Sequence, residues 1–181
     1  MRAIFLDRDG VINRYPGDKK YVTSWESFKF LPKAKRALAR LSRANFKIFV
    51  ISNQAGVGKG IFSQRTLNSI TRRMLAKIED GAGRIDAVYY CTHKKNDHCS
   101  CRKPKAGLLY KARKDFPGIE FKKSFFIGDT IRDILAAKAA GCKSVLVLSG
   151  KEKISNRLNW LLQPDFIFPG LWGAVQFIIK K

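Results

Sequence analysis

Residues 3–10 read Ala-Ile-Phe-Leu-Asp-Arg-Asp-Gly: four apolar residues run straight into two acids and a glycine. An apolar run without polar alternation suits a strand buried on both faces, as strands are in a parallel sheet. Asp7 and Asp9 leave that strand at its carboxyl end, and Gly10 lets the chain turn sharply. The rest of the chain continues the pattern. Apolar runs at Phe46–Ile51, Ala87–Tyr90, Ser124–Ile127 and Ser144–Leu148 predict further strands, with a short edge strand at Phe166–Phe168. Between them, helices are predicted from Pro32 to about Ala44, from a Ser63 cap to about Asp80, over 106–115, over 131–140 up to a C-cap at Gly141, and at the C-terminus. Two long loops remain, 13–30 and 91–105.

Strand–helix alternation of this kind implies an α/β domain over residues 1–181 with a central parallel sheet covered on both faces. Ligands bind such sheets outside the carboxyl ends of the strands. Chemistry is therefore expected just after residues 6, 51, 90 and 127.

Composition bounds the alternatives. The chain has 181 residues, 45% of them hydrophobic, which supports a packed core rather than disorder. No apolar run approaches the roughly 20 residues that a spanning helix needs. Ala3–Leu6 is too short for a signal-peptide core, and Asp7 and Asp9 interrupt it. A cytoplasmic monomer is expected. The net charge of +22 favours anionic partners, whether phosphorylated metabolites, nucleic acid or anionic lipid, although a generally basic proteome would also account for it. Lys and Arg are spread along the chain with no block of five or more.

Each predicted strand end carries polar groups. Of Asp7 and Asp9, one carboxylate can act as nucleophile and the other as general acid and then base, although a solvated turn reads the same way. Ser52-Asn53-Gln54 offers neutral donors for a phosphoryl oxygen, or a helix cap. The glycines of Gly56-Val57-Gly58-Lys59-Gly60 suggest a P-loop but fail its pattern: Asn53 stands at the first-glycine position and no Ser or Thr follows Lys59. Cys91, His93, Cys99 and Cys101 supply four soft ligands for a structural, tetrahedral zinc, with His98 as an alternative to His93. Cys142 follows a helix cap and reads as a packed small residue. Lys103 can neutralise a phosphoryl group, and Arg102 can offer a planar fork to a second anion. Asp129 suits magnesium; Asp133, four residues on, either stands behind it or simply stabilises a helix start.

In order and strand position, Asp7-Arg8-Asp9-Gly10, Ser52, Lys103 and Gly128-Asp129 resemble the four motifs of the haloacid-dehalogenase (HAD) superfamily, over nearly the whole chain. The stretches 5–13, 51–56 and 101–104, with the Cys/His loop, are similar to its branch of heptose-bisphosphate and histidinol phosphatases. The resemblance implies a Rossmann-like three-layer α/β/α fold without a large cap domain. It implies magnesium at Asp7, the Asp9 carbonyl and Asp129, and zinc at Cys91, His93, Cys99 and Cys101. It also implies hydrolysis of a sugar phosphate through an aspartyl-phosphate on Asp7, with Asp9 as acid and base, Ser52 and Lys103 on the phosphoryl group, and Gly10, Asn53 and Arg102 near the substrate. Two departures bear on the substrate: only five residues separate His93 from Cys99, and Thr130 replaces the Lys that many relatives carry after Gly-Asp.

Two other enzymes share the motifs, a histidinol-phosphate phosphatase and a polynucleotide 3′-phosphatase. The charge favours the second; the zinc loop and the lack of an aromatic-rich basic groove in the sequence oppose it. A zinc-stabilised nucleic-acid-binding module would explain the cysteines and charge but leave Asp7, Asp9 and Asp129 without purpose.

Overall fold

The computed structural model describes residues 1–181. Its frame is a six-stranded, all-parallel sheet in the order β3-β2-β1-β4-β5-β6. The strands are β1 (Ala3–Leu6), β2 (Lys47–Asn53), β3 (Ala87–Cys91), β4 (Phe125–Gly128), β5 (Lys143–Val147) and β6 (Phe166–Phe168). β1 sits between β2 and β4, where the strand order reverses, so its carboxyl end opens on the crevice where such sheets bind ligands.

The helices are α1 (Ala34–Arg43), α2 (Ala55–Gly58), α3 (Gln64–Glu79), α4 (Gly107–Asp115), α5 (Ile131–Ala140) and α6 (Leu171–Ile178). Period-two alternation sorts the strand side chains between two cores. Ile4, Leu6, Ile48 and Val50 pack with α1, α3 and α6. Ala3, Phe5, Phe49 and Ile51 pack with α4 and α5 on the other face. Phe5 pairs in register with Phe49 on one side and Phe126 on the other, with ring centroids 5.4 and 6.4 Å away. All four β1 side chains are fully buried, which is why that strand reads as uninterrupted apolar sequence.

Local signals behave as the sequence suggests. Ser63 accepts a hydrogen bond from the Thr66 N–H at the start of α3. Gly141 ends α5 in the left-handed region, at φ 81°. Some boundaries differ. β2 continues through Ser52 and Asn53, because Ser52 pairs with Tyr90 and Asn53 with Cys91 of β3. The four-residue α2 and a 3₁₀ turn at Ile154–Asn159 were not expected. The 13–30 segment is anchored by its aromatic residues: Trp25 stacks on Phe28 at 5.2 Å, and Phe28 meets Phe30 edge-on at 5.0 Å. No helix is long and apolar enough to cross a membrane.

Candidate active site

The carboxyl ends of β1, β2 and β4 border a cavity of about 460 Å³. Asp7, Asp9, Ser52, Asn53, Arg102, Lys103, Asp129 and Asp133 all line it, so side chains from four separate stretches converge.

Lys103 organises the floor. Its ammonium is buried and meets three acceptors: the Ile51 carbonyl at 2.9 Å, Asp7 Oδ2 at 3.0 Å and Asp133 Oδ1 at 2.6 Å. Burial alone would lower its pKa, but Asp133 and Asp7 outweigh that and hold it above the ordinary value. The other Asp7 oxygen accepts the Arg8 N–H at 2.7 Å. Burial still pushes Asp7 up to about 6, against the pull of Lys103 and with a push from Asp133. Asp129 is raised well above the usual carboxylate range by burial and by the nearby Asp133 and Asp7.

Oxygens of Asp7, Asp129 and Asp133 lie within 4.8 Å of one another. Three carboxylates facing one ammonium leave excess negative charge, which a divalent cation would relieve. The backbone is shaped for it. A Cβ on either Gly10 or Gly150 would overlap the Asp129 carboxylate, whose Oδ2 also accepts the Lys151 N–H at 2.8 Å. The Asp9 carbonyl has no hydrogen-bond donor in the structure. Asp7, Asp129 and that carbonyl therefore fit a hard oxygen-seeking ion. Asp133 is committed elsewhere: its Oδ2 accepts from the Thr130 N–H and hydroxyl, capping α5, while Oδ1 holds Lys103. The helix-start reading of Asp133 is thus seen directly, and the same side chain also holds Lys103.

Asp9 is held in a cradle that sequence reading missed. Arg8, itself fully buried, contacts it through Nε and Nη2, Asn13 Nδ2 donates at 2.8 Å and Gln54 Nε2 at 2.9 Å. Gln54 also donates to Ser52 Oγ at 3.2 Å. Nothing in a sequence marks an Arg as buried, although Asn13 and Gln54 lie in the quoted motif stretches.

Gly10 and Asn53, both expected near the substrate, have protein partners of their own. Gly10 does not line the cavity: its N–H bonds the Asn13 carbonyl, its carbonyl accepts from Ser149, and its lack of a Cβ makes room for Asp129. Asn53 does line it, but its amide bonds the Lys103 backbone both ways, accepting the N–H at 3.1 Å and donating to the carbonyl at 3.2 Å. It fixes Lys103 in place. The glycines of 56–60 also find their reason: a Cβ on Gly58 would strike the Thr92 carbonyl, and one on Gly56 the Phe62 ring.

The 91–101 loop brings Cys91, His93, Cys99 and Cys101 together, with all four donor atoms within 4.8 Å. Neighbouring donors are 3.8 Å (Cys91–His93), 3.7 Å (Cys91–Cys99), 3.2 Å (His93–Cys101) and 3.5 Å (Cys99–Cys101) apart. Zinc with bonds of about 2.3 Å to sulfur makes a tetrahedron with edges of about 3.8 Å, so the donor set fits that ion. His98 is outside the group, its carbonyl instead accepting from Lys105. Two residues past Cys101 stands Lys103, and Arg102 between them donates to the His93 carbonyl at 3.2 Å.

The mouth of the cavity is basic. Lys19, Lys20, Lys59, Arg102, Arg132 and Lys151 surround it, with Asp18 as the one exposed acid. Asp18 bonds Lys151 Nζ at 2.5 Å and the Tyr15 hydroxyl at 2.6 Å, tying the 13–30 segment to the far rim.

Comparison with known proteins agrees with this architecture. The HAD-hydrolase-like family model matches residues 100–174. A D-glycero-beta-D-manno-heptose-1,7-bisphosphate 7-phosphatase of Neisseria meningitidis is 32% identical over 100% of this chain and 96% of its own. One of Vibrio cholerae is 38% identical over 82% of each chain. The crystal structure of D,D-heptose 1,7-bisphosphate phosphatase from B. bronchiseptica, complexed with magnesium and phosphate, superposes with a TM-score of 0.92 at 30% identity, covering 99% of both chains. The fold, the floor of clustered carboxylates and the extent of these matches agree: the chain is a phosphatase and belongs to the HAD-like family that contains the heptose-bisphosphate phosphatases.

Proposed function

We propose that the chain removes the 7-phosphate of D-glycero-D-manno-heptose 1,7-bisphosphate, with magnesium bound at Asp7, Asp129 and the Asp9 carbonyl. The observation that carries this reading is the layout of charge: one deep acidic floor with a single buried ammonium, below a rim of six cations. A substrate with two phosphates at opposite ends fits both layers. The names of the relatives supply the sugar.

Asp7 is the nucleophile. The Arg8 N–H and Lys103 fix its two oxygens, and with its pKa pushed up to about 6 it is still mostly ionised at neutral pH. One carboxylate oxygen attacks phosphorus in line, giving an aspartyl-phosphate and a sugar alkoxide. The bound magnesium would shield charge on the phosphoryl oxygens during that attack. Ser52 and Lys103 stabilise the same oxygens from the protein side. Asp9, rotated out of its Arg8–Asn13–Gln54 cradle, gives a proton to the leaving oxygen and then takes one from the water that cleaves the intermediate. Rim cations, Arg102 foremost, hold the second phosphate.

Phosphate release from heptose 1,7-bisphosphate, heptose 7-phosphate, histidinol phosphate and 3′-phosphorylated DNA, each with magnesium, tests the substrate. The bisphosphate is expected to lead in kcat/KM by about tenfold or more over the monophosphate, since a charge-assisted contact is worth on the order of 1.5–3 kcal/mol. Preference for histidinol phosphate or DNA ends would replace the reading.

Zinc bound by Cys91, His93, Cys99 and Cys101 would hold the 91–101 loop and, through it, Arg102 and Lys103. Metal analysis is expected to find about one zinc per chain, and Cys101→Ser to lose it together with most activity. Full activity in a zinc-free variant would contradict this.

A further inference from the structure

The +22 charge is not accounted for by the catalytic cavity, and its distribution is uneven. From residue 27 to residue 78 the chain has twelve Lys and Arg and no Asp or Glu. These residues build α1, β2, α2 and most of α3, and five of the twelve cations fall within residues 33–43, in and just before α1. Those five meet at a groove of about 550 Å³ beside α1 and the start of α6, which shares no residue with the catalytic cavity. Lys33, Lys35, Arg36, Arg40 and Arg43 line it, no acid does, and all five cations are exposed. None is in an ion pair; Arg36 lies over the Trp172 ring at 4.9 Å and Lys35 over Phe30 at 5.6 Å.

We propose that this groove is a second binding site, for the phosphodiester backbone of single-stranded nucleic acid. Five like charges packed along one helix repel one another, and a polyanion that threads them removes that cost while releasing its own counterions. Arg36, Arg40 and Arg43 stand on one face of α1, with rises of about 6 Å and 4.5 Å between them, in a line that one strand can follow. Trp172 with Arg36 on its face supplies an aromatic–guanidinium edge of the sort on which bases stack. A lipid surface fits less well. The groove is concave, and the large apolar side chains that are exposed, such as Leu158 and Leu161, lie on other elements.

Fluorescence anisotropy of a labelled oligouridine, titrated with magnesium-loaded enzyme over a salt series, tests the site. The R36Q/R40Q/R43Q variant is compared with K114Q/K122Q/K143Q, which removes equal charge from exposed positions elsewhere. Wild type is expected to bind in the micromolar range at low salt. The groove variant should lose on the order of tenfold or more in affinity, and its log K against log salt slope should fall by about 2, at about 0.7 per lost contact. The control triple should keep the wild-type slope, and all three proteins should hydrolyse the phosphate ester equally, which also reports that they are folded. The proposal is overturned by no RNA binding at low salt, by equal losses in both triples, by competitive inhibition of hydrolysis by oligouridine, or by tighter binding to vesicles of anionic lipid that the groove variant abolishes.

Discussion

Asp7→Asn is expected to abolish turnover, lowering kcat by about 10⁴-fold or more, while the protein remains folded. An amide is isosteric with the carboxylate, still accepts the Arg8 N–H, and is not a nucleophile toward phosphorus. The same change should stabilise the protein in magnesium-free buffer. Burial raises the Asp7 carboxyl from 3.8 to about 6, so the ionised form is less welcome folded than unfolded. A raised carboxylate pKa means the fold loses stability as pH climbs from about 4 through 6. Asn escapes that loss. Melting curves should therefore nearly coincide at pH 4 and separate by about 1–3 kcal/mol at pH 7.5, the variant being the more stable. Wild-type turnover in the variant would remove Asp7 from the chemistry; a variant less stable at pH 7.5 would mean that its pairing with Lys103 outweighs burial.

Lys103→Met should damage both fold and catalysis. The ammonium answers the Ile51 carbonyl, Asp7 and Asp133 at once, almost fully buried at the floor of the cavity. Removing it leaves two buried carboxylates facing a third, which typically costs about 3–5 kcal/mol when one partner of a buried pair is lost. Activity should fall by about 10²–10³-fold as the phosphoryl oxygens lose a preorganised donor. Adding Asp133→Asn to Lys103→Met should return much of the stability and none of the activity. Equal recovery of both would show that Lys103 is only structural.

The parts of this site that were legible in the sequence share one property: they sit at the ends of buried strands or in a loop whose residue types have few other uses. Asp7, Asp9 and Asp129 interrupt or follow apolar runs, and topology alone then brings them to one edge. Three cysteines and a histidine within eleven residues are hard to read as anything but metal donors. What was not legible depends on how distant segments meet. Gln54 as a partner of Asp9, the pairing of Asp133 with Lys103, and the clearance that Gly150 gives Asp129 involve no local pattern. The protein contacts of Asn53 and Gly10 are of the same kind: the Asn53 amide bonds the Lys103 backbone, and the Gly10 carbonyl accepts from Ser149, across gaps no local pattern spans. The basic groove escaped for the same reason, since α1 and Trp172 are far apart in the chain and adjacent only after folding.

The central claim is that phosphate passes through Asp7. Acid quenching of the Asp9→Asn variant early in its reaction with p-nitrophenyl phosphate tests it most directly, because this leaving group needs no proton and the variant lacks the base for the second step. The account predicts a burst of one nitrophenolate per active site and one phosphoryl group on the peptide containing Asp7. Continued turnover with no burst and no phosphoryl group on that peptide would contradict it.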